Sequence, residues 1–452
     1  MEQSARIELD TIVEGVRLSP RLTAILVIAA LALVSDGFDV AAMGLIAPEL
    51  AKEWGIGPAG MVPAFSAGIV GMMIGGPLLG LIGDRFGRKR AVLAGLALIG
   101  AATLATMSVR SVTDLVILRL LTGIGLGGVI PNMIALVAEI MPHRIRGRVL
   151  VVVILGMVCG TSLPGLVAAL LVPKFGWQAI VVVGGVLPLL VTLAVALWTP
   201  ESLKFLIGRG SREAEARQVA KLLRPDLAVN PATVIGLPAG APVTQPKARE
   251  LFRGDFRVVT PLLWICQATN QMSNFFALTW LPTLLQAQGA SSSHAGAVAS
   301  LFALGGLVGG LILMNLLDRW GAIPMAVLFV LGAPLVAMMA GSHDSAMTRA
   351  VIIAGAGLCV TGINIALTAL LGLFHPTPIR ALGIGWTQSA GRLGALAAPL
   401  VGGLLLSMKI PLQDLPLAPA IVLGIGAVAC IALAAISLRQ FGSARPGEFR
   451  AA

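Results

Sequence analysis

Long apolar runs alternate with short polar connections along almost the whole chain. Most of these runs approach or exceed the roughly 20 residues that an α-helix needs to cross about 30 Å of hydrocarbon. The pattern predicts an all-α integral membrane protein with twelve membrane-spanning helices, called spans 1 to 12. Their predicted bounds are 21–47, 62–83, 91–109, 113–138, 149–172, 178–198, 258–287, 294–318, 322–340, 348–373, 382–407 and 414–439.

One long polar stretch, residues 199–257, interrupts this alternation between spans 6 and 7. It divides the chain into an N-terminal six-helix bundle (1–198), a cytoplasmic linker (199–257) and a C-terminal six-helix bundle with a short tail (258–452). Within the linker, an N-cap serine and a Glu–Arg pair four residues apart predict a short helix over 211–223. The proline-rich part that follows, 225–246, is predicted to be flexible.

The two halves of the chain repeat each other. Gly75, Gly76, Asp84, Arg85 and Gly87 recur with the same spacing as Gly309, Gly310, Asp318, Arg319 and Gly321, and Arg146 recurs as Arg380. Both sets fall in loops of equivalent topology. A parallel repeat of two six-helix halves predicts a substrate site near the middle of the membrane, between the halves.

Composition and charge refine this picture. The chain is 57% apolar and 12% charged, with a net charge of +11. Most of its 32 Lys and Arg lie in the N-terminus, the linker, the loops after even-numbered spans and the C-terminus. This distribution follows the positive-inside rule, so it predicts cytoplasmic termini and removes the support for nucleic-acid binding. We expect no cleavable signal peptide, disulfide or metal site.

Three motifs resemble those of the major facilitator superfamily. They are GPLLGLIGDRFGRKR from Gly76 to Arg90, RLLTGIGLGG from Arg119 to Gly128, and PESLKFL from Pro200 to Leu206. The resemblance implies two pseudo-symmetric bundles that open alternately to the two sides of the membrane. With the repeat, it implies gating roles for Asp84, Arg85, Arg88, Glu139, Arg146, Asp318, Arg319 and Arg380. Asp84 is expected to meet the start of span 11 when the cavity faces outward.

Further motifs resemble the aromatic acid/proton symporter family. They are DGFD from Asp36 to Asp39, GLGGVIPN from Gly125 to Asn132, and RALGIGWTQSAGRLG from Arg380 to Gly394. The resemblance implies import of a benzoate-, hydroxybenzoate- or protocatechuate-like acid with protons, by a monomer in a bacterial-type inner membrane without other cofactors. A carrier or exporter of another organic anion, and a sensor with a transporter fold, remain alternatives.

Four charged residues lie deep in apolar segments: Asp36, Asp39, Arg119 and Arg392. Each costs at least about 2.5 kcal/mol at the bilayer centre, so each is expected to face an interior cavity. Arg392 is predicted to bind a substrate carboxylate. Asp36 and Asp39 share one helical face, and Arg119 is predicted to neutralise one of them and leave the other to carry a proton. A static buried ion pair that only fixes packing is the alternative.

A polar stripe on span 7 completes the predicted binding site. It contains Gln267, Asn270, Gln271 and Asn274, and is joined by Asn364, Gln388 and Trp386 from spans 10 and 11. Amides can bind polar substituents of a ligand, and an indole can stack on its ring. Interhelical hydrogen bonding is the alternative for the amides, and ordinary packing is the alternative for Trp386. The chain has no phosphate-cradling GKS or GKT, HExxH or GxSxG motif, so no enzyme activity is predicted.

Overall fold

A computed structural model describes residues 6–208, 212–227, 233–236, 248–339, 341, 345–375 and 377–441. The membrane helices of the first half are α2 (Pro20–Glu53), α3 (Val62–Phe86), α4 (Arg88–Ala105), α5 (Val112–Ile140), α6 (His143–Phe175) and α7 (Gln178–Trp198). Those of the second half are α10 (Phe256–Ala287), α11 (Ser292–Trp320), α12 (Ile323–Met338), α13 (Ala346–Phe374), α14 (Thr377–Ser407) and α15 (Leu417–Phe441). Smaller elements are β1 (Arg6–Glu8), α1 (Leu9–Glu14), α8 (Leu203–Gly208), α9 (Glu213–Leu223) and β2 (Val234–Gly236).

The twelve long helices confirm the twelve predicted spans, in order. Among the described residues, ten helices are long and apolar enough to cross a bilayer by themselves. The two exceptions are α10, whose amide stripe lowers its hydropathy, and α12, which has only 16 residues. Both pack within the C-terminal half, α10 against α14 and α15, and α12 against α13 and α15. Packing therefore compensates for the lower hydropathy of α10 and for the short length of α12.

The small elements pack on the linker end of the N-terminal half. The predicted linker helix is observed as α9, and its apolar face joins an apolar cluster with α1 and α8. β1 and β2 form a two-stranded parallel sheet that the sequence pattern did not predict. Arg224 joins the two segments by donating to the carbonyl of Thr11, and its hydrogen bonds lower the pKa of Asp226 to about 2. Of the predicted flexible segment, 228–232 and 237–246 lie outside the described residues.

The alternation of helices defines two sides of the membrane. We call the side where α2 and α10 begin, and where α7 and α15 end, the linker side. The opposite side is called the far side.

The two halves pack tightly against each other at the far side. A Cβ atom on Gly44 of α2 would collide with the carbonyl oxygen of Leu278 on α10, and one on Gly165 of α6 would collide with the backbone of Gly296 on α11. Ser300 Oγ also donates to the carbonyl of Ser162 at 2.9 Å. Helices from opposite halves therefore touch backbone to backbone, and the far side is closed.

The halves diverge toward the linker side, as the facing surfaces of α3 and α14 demonstrate. At mid-membrane, Gly76 of α3 touches Arg392 of α14. One turn closer to the linker side, a Cβ atom on Gly80 would meet nothing within 4 Å, and the same holds for Gly385 on the opposing helix. The cavity between the halves is therefore open to the linker side.

The sequence repeat reappears as a repeated contact. Arg146 Nε and Nη2 donate to the carbonyl of Met141, at 3.2 and 3.0 Å, where α5 has just ended. Arg380 Nε donates at 3.2 Å to the carbonyl of His375, where α13 has just ended. Each arginine thus satisfies a carbonyl at the end of the preceding helix. His375 itself is buried against Phe256, and this burial lowers its pKa.

Candidate functional site

Asp39 and Arg119 form a buried ion pair inside the N-terminal half. Arg119 Nη1 lies 3.3 Å from Asp39 Oδ2, and Thr103 Oγ1 donates to Asp39 Oδ1 at 2.9 Å. Asp39 and Arg119 expose 3% and 4% of their surface. Thr103 was not predicted from the sequence, because a threonine in an apolar segment carries no distinguishing signal. Asp39 therefore has a cation and a hydroxyl to satisfy its charge.

Asp36 lies on the same helix without such partners. It is 1% exposed, and neither carboxylate oxygen has a hydrogen-bond partner among the residues that the structure describes. The charged groups that act on it are Asp39, Arg392 and, through Asp39, Arg119. Gly37 fixes this placement, because a Cβ atom there would collide with the backbone of Met157 on α6. α2 and α6 therefore meet backbone to backbone beside Asp36, which is buried at this crossing.

Arg392 is the middle residue of α14 and reaches across the boundary between the halves. A Cβ atom on Gly76 would lie 2.9 Å from Arg392 Nη1, so the guanidinium lies against the backbone of α3. Asp36 is the carboxylate whose charge acts on it most directly. The cation predicted to bind substrate is thus placed between the two bundles, and Gly76 provides the space for it.

Three glutamines lie beside Arg392 on α10 and α14. Gln267 Nε2 donates to Gln388 Oε1 at 3.1 Å, and a Cβ atom on Gly391 would meet Gln267 and Gln271. Within the described part of the chain, the buried Oε1 atoms of Gln267 and Gln271 have no hydrogen-bond partner. These predicted site residues are therefore brought together with Arg392, and two carbonyl oxygens remain available as acceptors.

The asparagines of the same stripe are used differently. With its amide oriented to satisfy its surroundings, Asn270 donates to the carbonyl of Val360 at 2.9 Å and accepts from the backbone N–H of Asn364 at 3.3 Å. Asn274 accepts from Thr361 Oγ1 at 2.9 Å. Asn270 and Asn274 therefore join α10 to α13 through hydrogen bonds, and their predicted contact with substrate stays a prediction.

Trp386 is separated from this cluster. Its ring stacks on Trp264 of α10, with centroids 5.9 Å apart and planes inclined by 14°, and 45% of its surface is exposed. At about 100° per residue, it lies roughly 120° around α14 from Arg392. The structure does not bring Trp386 to the cluster of glutamines and Arg392.

Residues expected to gate the linker side form a network within the N-terminal half. Arg88 Nε lies 3.0 Å from Glu139 Oε1, and Glu139 also accepts a hydrogen bond from Ser202. Glu201, in the PESLKFL motif, accepts from the backbone N–H of Lys89 at 3.0 Å. Its carboxylate thereby satisfies the start of α4, where a helix favours negative charge. The motif after α7 is thus tied to α4 and α5.

The other predicted gating residues lie toward the linker side. Asp84 pairs with Arg88 at 3.6 Å and exposes 71% of its side chain. Arg85 lies over the Phe86 ring at 5.5 Å, and Arg319 is exposed. The side chain of Asp318 lies outside the described residues. Since Asp84 is expected to meet α14 only when the cavity faces outward, its gating role stays a prediction.

Comparisons with known proteins identify the family. Residues 29–252 and 263–451 match the family model described as Major Facilitator Superfamily. The chain belongs to the Major Facilitator Superfamily. A gallate transporter of Pseudomonas putida is 36% identical over 393 residues, covering 86% of each protein. A 4-hydroxybenzoate transporter of the same species is 33% identical over 82% of this chain and 84% of its own length.

A solved structure supports the fold of this Major Facilitator Superfamily member. A bacterial homologue of the human lysosomal transporter Spinster superposes with a TM-score of 0.73 at 15% identity, covering 96% of this chain and 100% of that protein. The family predicted from the motifs and the twelve-helix fold predicted from the apolar pattern are confirmed. The chain is a multi-pass membrane protein whose fold and relatives are those of transporters.

Proposed function

We propose that this chain imports an aromatic carboxylate together with a proton by alternating access. The observation that carries the proposal is the pairing, across one cavity, of a cation with an unpaired carboxyl group. Arg392 is placed between the halves at mid-membrane, and Asp36 is buried without a hydrogen-bond partner. The relatives named as gallate and 4-hydroxybenzoate transporters supply the aromatic acid as the substrate class.

Within this proposal, Arg392 binds the substrate carboxylate. A planar guanidinium presents paired N–H donors that match the two oxygens of a carboxylate. Asp36 carries the proton, since its carboxyl group has no hydrogen-bond partner among the described residues, whereas Asp39 is already neutralised by Arg119. Asp39 and Arg119 would then hold α2 and α5 in place around the titrating group.

Within the same proposal, Gln267 and Gln271 recognise the hydroxyl substituents on the aromatic ring of the substrate. The unpaired Oε1 atoms of Gln267 and Gln271 are suited to accept hydrogen bonds from phenolic hydroxyl groups. Gln388 orients Gln267 through their mutual hydrogen bond. A buried acceptor without a partner is costly, so a hydroxylated ring that satisfies it is favoured over an unsubstituted one.

The orientation follows from charge. By the positive-inside rule, the basic residues of the termini, the linker and the loops after even-numbered spans support an orientation in which the linker side faces the cytoplasm, in a bacterial-type inner membrane. The cavity described above would then face inward, where substrate is released. We further propose that the transporter acts as a monomer and uses the proton as its only coupling species.

Transport into proteoliposomes tests this function. With an acidic exterior, radiolabelled 4-hydroxybenzoate or gallate should accumulate inside about tenfold per pH unit for a one-proton symport, because each unit supplies about 1.4 kcal/mol. External alkalinisation should accompany uptake. Binding without uptake would favour a sensor, and loss of substrate from preloaded vesicles against its gradient would favour an exporter.

Gly76→Ala is expected to weaken aromatic-carboxylate binding roughly tenfold while barely changing the thermal unfolding midpoint. The added methyl group would displace the end of the flexible Arg392 side chain rather than the backbone. Gly80→Ala is the matched control, since a methyl group there meets open space on the same helix in this state. Calorimetric titration of both purified variants checks this; equal affinities would contradict the placement of Arg392.

A further inference from the structure

We propose that Glu49 of the N-terminal half and Ser292 of the C-terminal half form a latch that holds the far side closed. Neither residue was predicted from the sequence, and neither touches the substrate site. The inference does not depend on which substrate is carried, because it concerns the equilibrium between the two states of the fold.

The latch is an inter-half hydrogen bond. Ser292 Oγ donates to the carboxylate of Glu49, which connects the far-side end of α2 to the first turn of α11. Gln286 Nε2 donates to the same hydroxyl at 3.4 Å. Ser292 Oγ therefore accepts a hydrogen bond from Gln286 on α10 and donates one to Glu49 on α2. This one hydroxyl group connects the ends of three helices, α2 from the N-terminal half and α10 and α11 from the C-terminal half.

Helix electrostatics strengthens this contact. The first turn of α11 carries a partial positive charge, since its first backbone N–H groups have no partners within the helix. The side chain of the N-cap Ser291 accepts from one of them, the N–H of His294. The carboxylate of Glu49 therefore gains from both the hydroxyl and the helix end, and both gains are lost when the halves separate.

The latch lies beside the tightest inter-half packing. Gly44 of α2 meets Leu278 about one turn before Glu49, and Gly296 of α11 meets Gly165 about one turn after Ser292. The backbone packing supplies close contact, together with the Ser300–Ser162 hydrogen bond about two turns after Ser292 on α11. The Glu49–Ser292 bond supplies a polar contact that exists only in the far-side-closed arrangement, so it biases the equilibrium toward that state.

The chain contains a matched control for this carboxylate. Glu53 lies one turn further along α2, and its Oε2 accepts from Trp177 Nε1 at 3.3 Å. Trp177 precedes α7, so this bond lies within the N-terminal half. Substitutions at Glu49 and Glu53 each remove a carboxylate from the same helix, but only the substitution at Glu49 removes a contact between the halves.

Spin labels on opposite halves measure the opening. Lys174 and Lys409 are exposed at the far side, on α6 and just after α14. The labelling background carries Cys159→Ser, which removes the exposed native thiol. Pulsed dipolar spectroscopy of Lys174→Cys, Lys409→Cys protein in lipid nanodiscs then gives the separation of the two far-side ends.

Glu49→Ala and Ser292→Ala are each expected to raise the ratio of long to short separations roughly tenfold, the value of one charge-assisted hydrogen bond. Their effects should not add in the double variant, because both remove one contact. The isosteric Glu49→Gln keeps an acceptor for Ser292 and should shift the ratio less. Glu53→Ala and Glu53→Gln should leave it unchanged.

The proposal is overturned if Glu49 and Glu53 variants give the same distribution of separations, or if the Glu49 and Ser292 effects add. Glu49→Gln preserves side-chain shape, so the test stands even where an alanine variant folds poorly. Any shift common to Glu49 and Glu53 variants would be assigned to general loss of charge at this end of α2.

Discussion

Arg392→Ala should abolish detectable binding of an aromatic carboxylate at every pH. The substitution removes the paired N–H donors that meet the carboxylate, in a cavity where water compensates poorly for a lost charge pair. The loss of affinity is expected to be at least about a hundredfold, since hydrogen bonds to charged groups contribute about 1.5–3 kcal/mol and two are lost. Equilibrium binding of radiolabelled 4-hydroxybenzoate by scintillation proximity measures it.

Two variants control this experiment. Arg392→Lys keeps the positive charge but not the bidentate geometry, so it should retain weak binding. Lys409→Ala removes an exposed cation beyond the far-side end of α14 and should bind normally. Unchanged affinity in Arg392→Ala with a native unfolding midpoint would move the carboxylate site away from the boundary between the halves.

Asp36→Asn should bind substrate and exchange it across the membrane, yet fail to accumulate it. The amide keeps the shape of the side chain but cannot carry a proton between the two sides. A pH gradient, which supplies about 1.4 kcal/mol per unit and proton, would then no longer drive uptake. Counterflow and gradient-driven uptake, measured on the same proteoliposomes with external pH recorded, separate the two activities.

Asp39→Asn should behave differently, although it lies one helical turn away. It leaves the buried Arg119 without its carboxylate, and breaking a buried ion pair costs about 3–5 kcal/mol. The unfolding midpoint should fall, whereas that of Asp36→Asn should not. If Asp36→Asn still showed uphill uptake with external alkalinisation, a group other than Asp36 would carry the coupled proton.

Much of the fold was predictable because each membrane-spanning segment needs sufficient apolar length of its own, independently of the segments around it. A run of about twenty apolar residues predicts a membrane-spanning helix whatever segments flank it. The prediction was correct even for the short α12. Span 7, observed as α10, was predictable despite its amide stripe, because apolar residues surround the amides. The sheet between β1 and β2 was not predicted, since it pairs strands of three residues from distant parts of the chain.

The candidate site was predictable as a set of residues, but its internal arrangement was not. Charges buried in apolar segments are costly, so Asp36, Asp39, Arg119 and Arg392 were evident from the sequence. Helical spacing placed both aspartates on one face but gave no means of choosing between them. Likewise, the amides of α10 share one stripe, yet some face α14 and others bond to α13.

The sequence by itself determined the number, order and alternation of the helices, the family, and the charges that cannot be ordinary packing. These follow from hydropathy, local charge and motif spacing, which act within a single segment or loop. Tertiary structure alone decided that Arg119 neutralises Asp39 and leaves Asp36 unpaired, that Gly76 makes room for Arg392, and that the far side is closed. Each of these depends on the distance between helices far apart in the chain, and interhelix packing, rather than any single segment, sets that distance.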